Sequence, residues 1–310
     1  MKTTEHCVYA KIMLFGEYGV LCGGRALTIP LRNFSGTFRF PLKNQTEQQI
    51  VLNKLLKKYQ EFLAANTMFT DEFGIDVQAF QADLDSGLYF ASDIPHGYGA
   101  GSSGALVAAV YRRYAAKGKT GHPESDLQRL QKQLADLEAY FHGSSSGIDP
   151  LSCYLGVPLE FSSDEAIMPV QLHFEKAPSA AGFFLLDTGL ARKTGKLVKL
   201  FIDKKKDADF QEMLLTQYIP CVSSCITSLI KGDESKLEEQ LQQLSGLQYQ
   251  NFTEMIPIGL KDLWRQGLDT GAFTLKLCGA GGGGFILGYS KNFLSTKQIL
   301  KNYKTVEIFQ

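Results

Sequence analysis

The chain has 310 residues, with 32 Lys and Arg balanced by 32 Asp and Glu. That balance gives no electrostatic reason to expect nucleic acid or a membrane surface as partner, and the length accommodates one large or two modest domains. No uninterrupted apolar run approaches the roughly 18 residues of a spanning helix, and residues 1–6 do not read as a signal peptide, so a cytoplasmic protein is expected.

Residues 7–15 form a strand candidate that ends in Gly16-Glu17-Tyr18-Gly19. Lys11 is the one charge among Val8, Tyr9, Ala10, Ile12, Met13 and Leu14. It is either the solvent-facing member of an alternating strand or an inward cation paired with an acid. Phe34, Gly36, Phe38 and Phe40 alternate with other residues, which predicts a half-exposed antiparallel strand. Helical spacing covers 50–63, with Lys54, Lys57 and Lys58 on the wet side. Further helices are predicted over 103–117 and from about Pro123 to Phe141, the second with Leu127, Leu130, Leu134, Leu137 and Phe141 as its stripe.

The character changes after Gly156-Val157-Pro158, and a soft boundary falls near residue 170, giving ranges of 1–170 and 171–310. Residues 182–186 read as a buried strand leading into Asp187-Thr188-Gly189-Leu190-Ala191-Arg192-Lys193-Thr194. Three helical stretches are expected over 196–267. Two strands, 273–277 and 285–289, then flank Cys278-Gly279-Ala280-Gly281-Gly282-Gly283-Gly284. Each half mixes helices with antiparallel strands, an α+β pattern. Six scattered cysteines (Cys7, Cys22, Cys153, Cys221, Cys225 and Cys278) read as reduced, packed thiols. Cys221 and Cys225 fall on one helix face without a second pair to complete a zinc site.

The most informative segment is Pro95-His96-Gly97-Tyr98-Gly99-Ala100-Gly101-Ser102-Ser103-Gly104-Ala105, which runs straight into a helix. Glycines let backbone N–H groups approach an anion, and a helix start adds free N–H groups and a positive dipole end. Residues 97–104 therefore read as a phosphate cradle with a serine hydroxyl in reach of magnesium. The segment also fits G-x-G-x-x-G, but Pro95 stands where a dinucleotide-binding strand would end, and Glu124 belongs to the start of another helix. No Walker A sequence occurs. Glu138 lies about 20° from Leu127 and about 40° from Leu134 around its helix. This places a carboxylate either on the buried face or at the stripe edge, reaching water. Asp149 follows in the loop His142-Gly143-Ser144-Ser145-Ser146-Gly147-Ile148-Asp149. Ser103 and Glu138 are the hard oxygens expected to hold magnesium beside phosphates.

Three segments resemble, in order, the signature motifs of the GHMP small-molecule kinases: residues 11–18, residues 95–103 and residues 276–284. Within that superfamily, Glu138-x-x-x-His142-Gly143, Ser146-Gly147-x-Asp149 and Asp187-Thr188-x-x-x-Arg192-x-Thr194 resemble the internal motifs of the mevalonate kinase branch. The resemblance implies a GHMP kinase fold, with an N-terminal ribosomal-S5-like ATP-binding domain and a C-terminal ferredoxin-like α/β sandwich, and an active site between them. It implies ATP and Mg2+ as cofactors. Asp149 would be the catalytic base or charge stabiliser, and Lys11 would lower the pKa of the attacking hydroxyl. Gly97, Tyr98, Gly99, Ala100, Gly101, Ser102, Ser103 and Gly104 would wrap the triphosphate. Ser103 and Glu138 would hold the metal. Glu17, Tyr18, Arg192 and Thr194 would line the substrate side, with Arg192 near a substrate carboxylate, which suits its fork.

The implied reaction is phosphorylation of the terminal hydroxyl of mevalonate in isoprenoid synthesis by a monomer or homodimer with a small-molecule partner. Tyr18 departs from the histidine usual in that branch, and Gly-Glu-Tyr is more typical of phosphomevalonate kinases. Lys193 and Lys196 beside Arg192 would suit the extra phosphate. Ala100, Gly104 and Ser145 replace a usual leucine, alanine and proline. A catalytically silent GHMP-fold sensor would be expected to lose the lysine, the magnesium acid or the base, and Lys11, Glu138 and Asp149 are all present.

Overall fold

A computed structural model describes residues 7–115, 126–162, 164, 166–172, 181–192 and 194–308. Sequence readings placed on residues 1–6, Lys117, Pro123, Glu124 and Lys193 lie outside the described residues. The chain forms two compact units that interleave along the sequence. The first contains Met1–Lys11, Pro30–Ile94 and Gly101–Gly156; the second contains Ile12–Ile29, Pro95–Ala100 and Val157–Gln310.

In the first unit, strand β1 (Val8–Phe15) contributes its opening residues and β2 (Ala26–Arg39) its second half. β2 pairs antiparallel with β3 (Tyr89–Ser92), setting Phe38 opposite Phe90. Phe38 also packs edge-on against Phe80 and Tyr114. Helix α1 (Glu47–Ala64) starts on a capping box between Thr46 and Gln49, which satisfies two N–H groups of the first turn reciprocally. Its buried Asn53 amide donates to the carbonyls of Leu84 and Leu88. That pair of bonds ties α1 to the end of α2 (Val77–Asp85). Helices α3 (Ser102–Tyr114), α4 (Leu127–His142) and α5 (Ile148–Leu155) complete the unit. The stripe read from sequence on α4 is inward at Leu130, Leu134 and Leu137.

In the second unit, the first residues of β2 pair antiparallel with β4 (Leu159–Phe161), which pairs with β5 (Ile167–Pro169). A separate antiparallel sheet has the order β7-β8-β6-β9, built from β6 (Gly182–Asp187), β7 (Thr274–Leu277), β8 (Phe285–Ser290) and β9 (Lys304–Glu307). The helices are α6 (Thr194–Lys204), α7 (Ala208–Met213), α8 (Ile219–Lys231), α9 (Glu234–Asn251), α10 (Lys261–Thr270) and α11 (Phe293–Ile299). Where sequence spacing gave three helical stretches, the structure has five helices, because short turns at 205–207 and 252–260 and a wide turn at 214–218 interrupt the pattern. The helical stretch Ala208–Lys231 has the length and mean hydropathy of a bilayer-crossing segment. Its Tyr218, Val222, Cys225, Ile226 and Leu229 are nevertheless buried in the unit's own interior. All six cysteines are free thiols.

Arg25, just ahead of β2, shows how this unit is tied together. Its Nε and Nη2 both lie 2.7 Å from the buried Glu160 carboxylate of β4, and its Nη1 donates to Thr227 and to the Ser223 carbonyl of α8. Removing the cation would leave Glu160 buried and unpaired, which is strongly destabilising. Arg25→Met is therefore expected to lower unfolding free energy by about 2–3 kcal/mol, measured by denaturant titration. Adding Glu160→Gln should recover much of the loss, since the stranded charge is gone.

Candidate active site

The first unit assembles a polar cluster from one strand and three helix ends. Lys11 is 4% exposed, so the inward alternative holds. Its Nζ lies 2.7 Å from Asp149 Oδ1. Asp149 occupies the first turn of α5 behind the left-handed N-cap Gly147, where a negative charge is favoured by the helix dipole. Glu138 is also 4% exposed, on the buried side of α4. Ser103 donates to Glu138 Oε1 at 2.8 Å and Ser145 to Oε2 at 2.6 Å, while His142 Nε2 lies 3.0 Å from Ser103 Oγ. Burial raises the Glu138 pKa, and the Asp149 charge adds to the rise. The Ser145 and Ser103 hydroxyls and His142 oppose it. A carboxylate and a hydroxyl are the hard oxygens that magnesium takes. A cation beside Ser103 and Glu138 would relieve the charge that burial makes costly, so these residues fit that metal.

Glycine conformation also shapes the loop that leads into α3. Gly97, Gly99 and Gly101 have φ of 75°, 73° and 72°, the left-handed region that other residues rarely enter. Gly101 is the N-cap of α3, so the chain passes directly from this loop into free helix N–H groups suited to an anion. Gly104, where an alanine is usual in the resembled branch, has a different reason. A Cβ there would stand 2.8 Å from the Asp149 carbonyl carbon and the Pro150 nitrogen. The missing methyl lets α3 approach the start of α5. Ser145, in place of the usual proline, also has work: its hydroxyl bonds Glu138 and accepts the Gly147 N–H at 3.0 Å. Nothing in the local sequence marks Ser145 or His142 as a partner of Glu138 or Ser103; both contacts arise from the helix-end geometry.

The second unit gathers the other signature segments. Glu17 is 1% exposed and ion-paired with Lys276 of β7. Burial raises its pKa; the Lys276 charge and hydrogen bond are the main opposing effects. Tyr18, the one described non-glycine residue with positive φ, is buried in a three-ring cluster with Phe201 and Phe252 and donates to the Ala280 carbonyl at 2.7 Å. Both residues expected at the substrate side are thus interior groups of this unit. Arg192 donates through Nη1 to the Cys278 carbonyl at 2.6 Å. Its guanidinium occupies the space that a Cβ on Gly99 or Gly279 would need. The Arg192 N–H bonds the Gly97 carbonyl at 3.0 Å, and Thr188 donates to the Gly284 carbonyl at 2.8 Å. Residues 97–99, 188–192 and 278–284 are therefore laced together. Thr194 begins α6.

Gly104→Ala is expected to force α3 and α5 apart at Asp149. Overpacking of this kind costs about 1–3 kcal/mol. A crystal structure of the variant should show a lengthened Lys11–Asp149 contact, and thermal unfolding should fall. An unchanged midpoint would mean that the helices have room to relax.

Residues 54–157 match the GHMP kinases N terminal domain family. A mevalonate kinase from Pyrococcus abyssi is 27% identical over 89% of this chain and 85% of that protein. L. major mevalonate kinase, solved in complex with R-mevalonate, superposes with a TM-score of 0.67 at 18% identity, covering 99% of this chain and 97% of its own. Streptococcus pneumoniae phosphomevalonate kinase, solved with phosphomevalonate and AMPPNP, gives 0.64 at 18% identity over 97% and 99%. The similarity to that family thus lies in residues 54–157, and the fold is the one shared with the solved mevalonate and phosphomevalonate kinases.

Proposed function

We propose that this protein is a cytoplasmic ATP-dependent kinase that transfers the γ-phosphoryl group of ATP to the terminal hydroxyl of mevalonate, giving 5-phosphomevalonate. Residues 1–170 would form its ATP-binding domain and residues 171–310 its C-terminal domain. The observation that carries the reading is the pairing of buried Lys11 with the part-exposed Asp149 in the same cluster as the Ser103–Glu138 oxygens. Mevalonate kinase relatives support the pathway.

In this reading Asp149 accepts or stabilises the proton of the acceptor hydroxyl as its oxygen attacks phosphorus. The Lys11 ammonium, 2.7 Å from Asp149, favours the ionised oxygen. The left-handed glycines and the start of α3 supply N–H groups for the triphosphate. Magnesium held by Ser103 and Glu138 would neutralise phosphate charge. The acceptor oxygen gains the phosphoryl group and ADP leaves with the electron pair of the broken bond.

A coupled ADP-release assay with mevalonate and phosphomevalonate side by side tests the reading. Turnover of mevalonate is expected. Preference for phosphomevalonate would move the protein one reaction along, an outcome the Gly16-Glu17-Tyr18 sequence makes worth measuring. Turnover of neither would sink both. Asp149→Asn should reduce kcat by about 10²-fold or more with nucleotide affinity nearly intact, whereas retained activity would remove Asp149 from the chemistry.

Arg192 is expected to serve the acceptor carboxylate, yet its guanidinium also lies against Gly99 and Gly279. Arg192→Lys keeps the charge and loses the fork. It is expected to raise KM for mevalonate and for ATP, each about tenfold. A defect confined to one substrate would assign the side chain to that substrate alone.

A further inference from the structure

The Glu17–Lys276 pair does not stand alone. Lys276 Nζ also donates to the Leu277 carbonyl at 2.7 Å. The Leu277 N–H donates to Gln248 Oε1 at 2.7 Å, and Gln248 Nε2 donates to the Tyr218 hydroxyl at 2.9 Å. The Tyr218 hydroxyl in turn donates to the Glu17 carbonyl at 3.0 Å. The bonds therefore close a ring: Glu17 carboxylate, Lys276, Leu277, Gln248, Tyr218 and back to the Glu17 backbone. Every member is buried, Gln248 and Tyr218 completely. The second Glu17 oxygen has no partner among the described residues, so Lys276 is the principal counterweight to that charge.

We infer that Tyr218 and Gln248 are positioning residues, which hold the glycine run 278–284 in register with Gly16-Glu17-Tyr18 and so set the rate of phosphoryl transfer. The ring grips both chain segments at their backbones. Leu277 is held through its N–H and its carbonyl, immediately before Cys278. Glu17 is held through its carbonyl and its carboxylate. The run beyond Leu277 carries five glycines with positive φ, so it has little intrinsic stiffness and depends on its anchors. Tyr18 adds a further tie at Ala280, and Arg192 another at Cys278. A polar ring that is fully satisfied fixes one arrangement, while a partly satisfied one releases it. Neither Tyr218 nor Gln248 touches the Lys11–Asp149 cluster through any described bond, so they act through backbone placement. The kinetic part of this inference rests on the kinase reading above.

The experiment compares Tyr218→Phe and Gln248→Leu with Ser245→Ala in the full-length protein. Ser245, on the same helix as Gln248, accepts a buried bond 2.9 Å long from the Trp264 indole of α10, and Ser245→Ala serves as a control for ordinary loss of stability. Amide hydrogen exchange over 278–284 is measured without substrate, and kcat and KM with ATP and the active acceptor. Tyr218→Phe and Gln248→Leu are each expected to speed exchange in that run and to lower kcat/KM about tenfold. Ser245→Ala should lower the melting temperature and leave both readouts near wild type. The double variant should be scarcely worse than either single one, because members of one ring are not additive. If Gln248→Leu fails to fold, Tyr218→Phe decides by itself, since it removes a single oxygen. Exchange and kcat/KM matching the Ser245→Ala control would overturn the inference. If the wild-type protein phosphorylates neither mevalonate nor phosphomevalonate, the kinase reading fails, and unchanged exchange over 278–284 would separately overturn the brace.

Discussion

A buried carboxylate needs a cation brought to it, and Glu17 imposes that requirement on the second unit. Burying an unpaired charge is far more costly than burying a matched one. Glu17 sits in the bend after β1, 1% exposed, so β7 must deliver Lys276 beside it. Once that register is fixed, Leu277 meets Gln248, Tyr218 meets the Glu17 carbonyl and Tyr18 meets Ala280. The glycine run then leaves β7 from a defined point. The order of the sheet, β7-β8-β6-β9, supplies the rigid support, because β8 is buried along its whole length between β7 and β6.

The same electrostatic rule organises the first unit in a different way. Lys11 and Glu138 are both nearly inaccessible. Lys11 is matched by Asp149, while Glu138 is held by two serine hydroxyls rather than by a cation. Neutral donors only partly offset burial and the neighbouring Asp149 charge, so the Glu138 pKa stays raised. The two departures from the resembled branch in this region are coherent with it. Ser145 adds a hydroxyl to Glu138, and Gly104 removes a methyl where α3 meets Asp149 and Pro150.

Two residues take on a different physical meaning once their surroundings are known. Tyr18, read beside Glu17 as an acceptor contact, has its ring packed in a cluster with two phenylalanines and its hydroxyl committed to a backbone carbonyl. Arg192 spends one guanidinium nitrogen on Cys278 and lies against glycines of two signature loops. Its charge therefore serves the loops' placement as well as any ligand it meets.

The sequence by itself singled out the glycine loop before α3, the family resemblance, and Lys11, Glu138 and Asp149 as candidate site residues. Those signals are local: glycine spacing before a helix, a carboxylate near an apolar stripe, a lysine in an apolar strand. It also placed β1 and helices α1, α3 and α4, whose periodicity is regular, but read only the 34–40 part of β2 and three helical stretches where five helices form. Only the tertiary structure decided which way Lys11 faces, that Glu138 is held by Ser103 and Ser145, and that Glu17 and Tyr18 lie inside. Those outcomes depend on partners up to 262 residues away in the chain, and no local pattern encodes a distance of that kind. Lys276 opens the third resembled segment, but Gln248 and Tyr218 carry no motif of their own in the sequence beyond the helical stretches that bear them. Their importance arises because the fold closes a hydrogen-bonded ring around one buried charge.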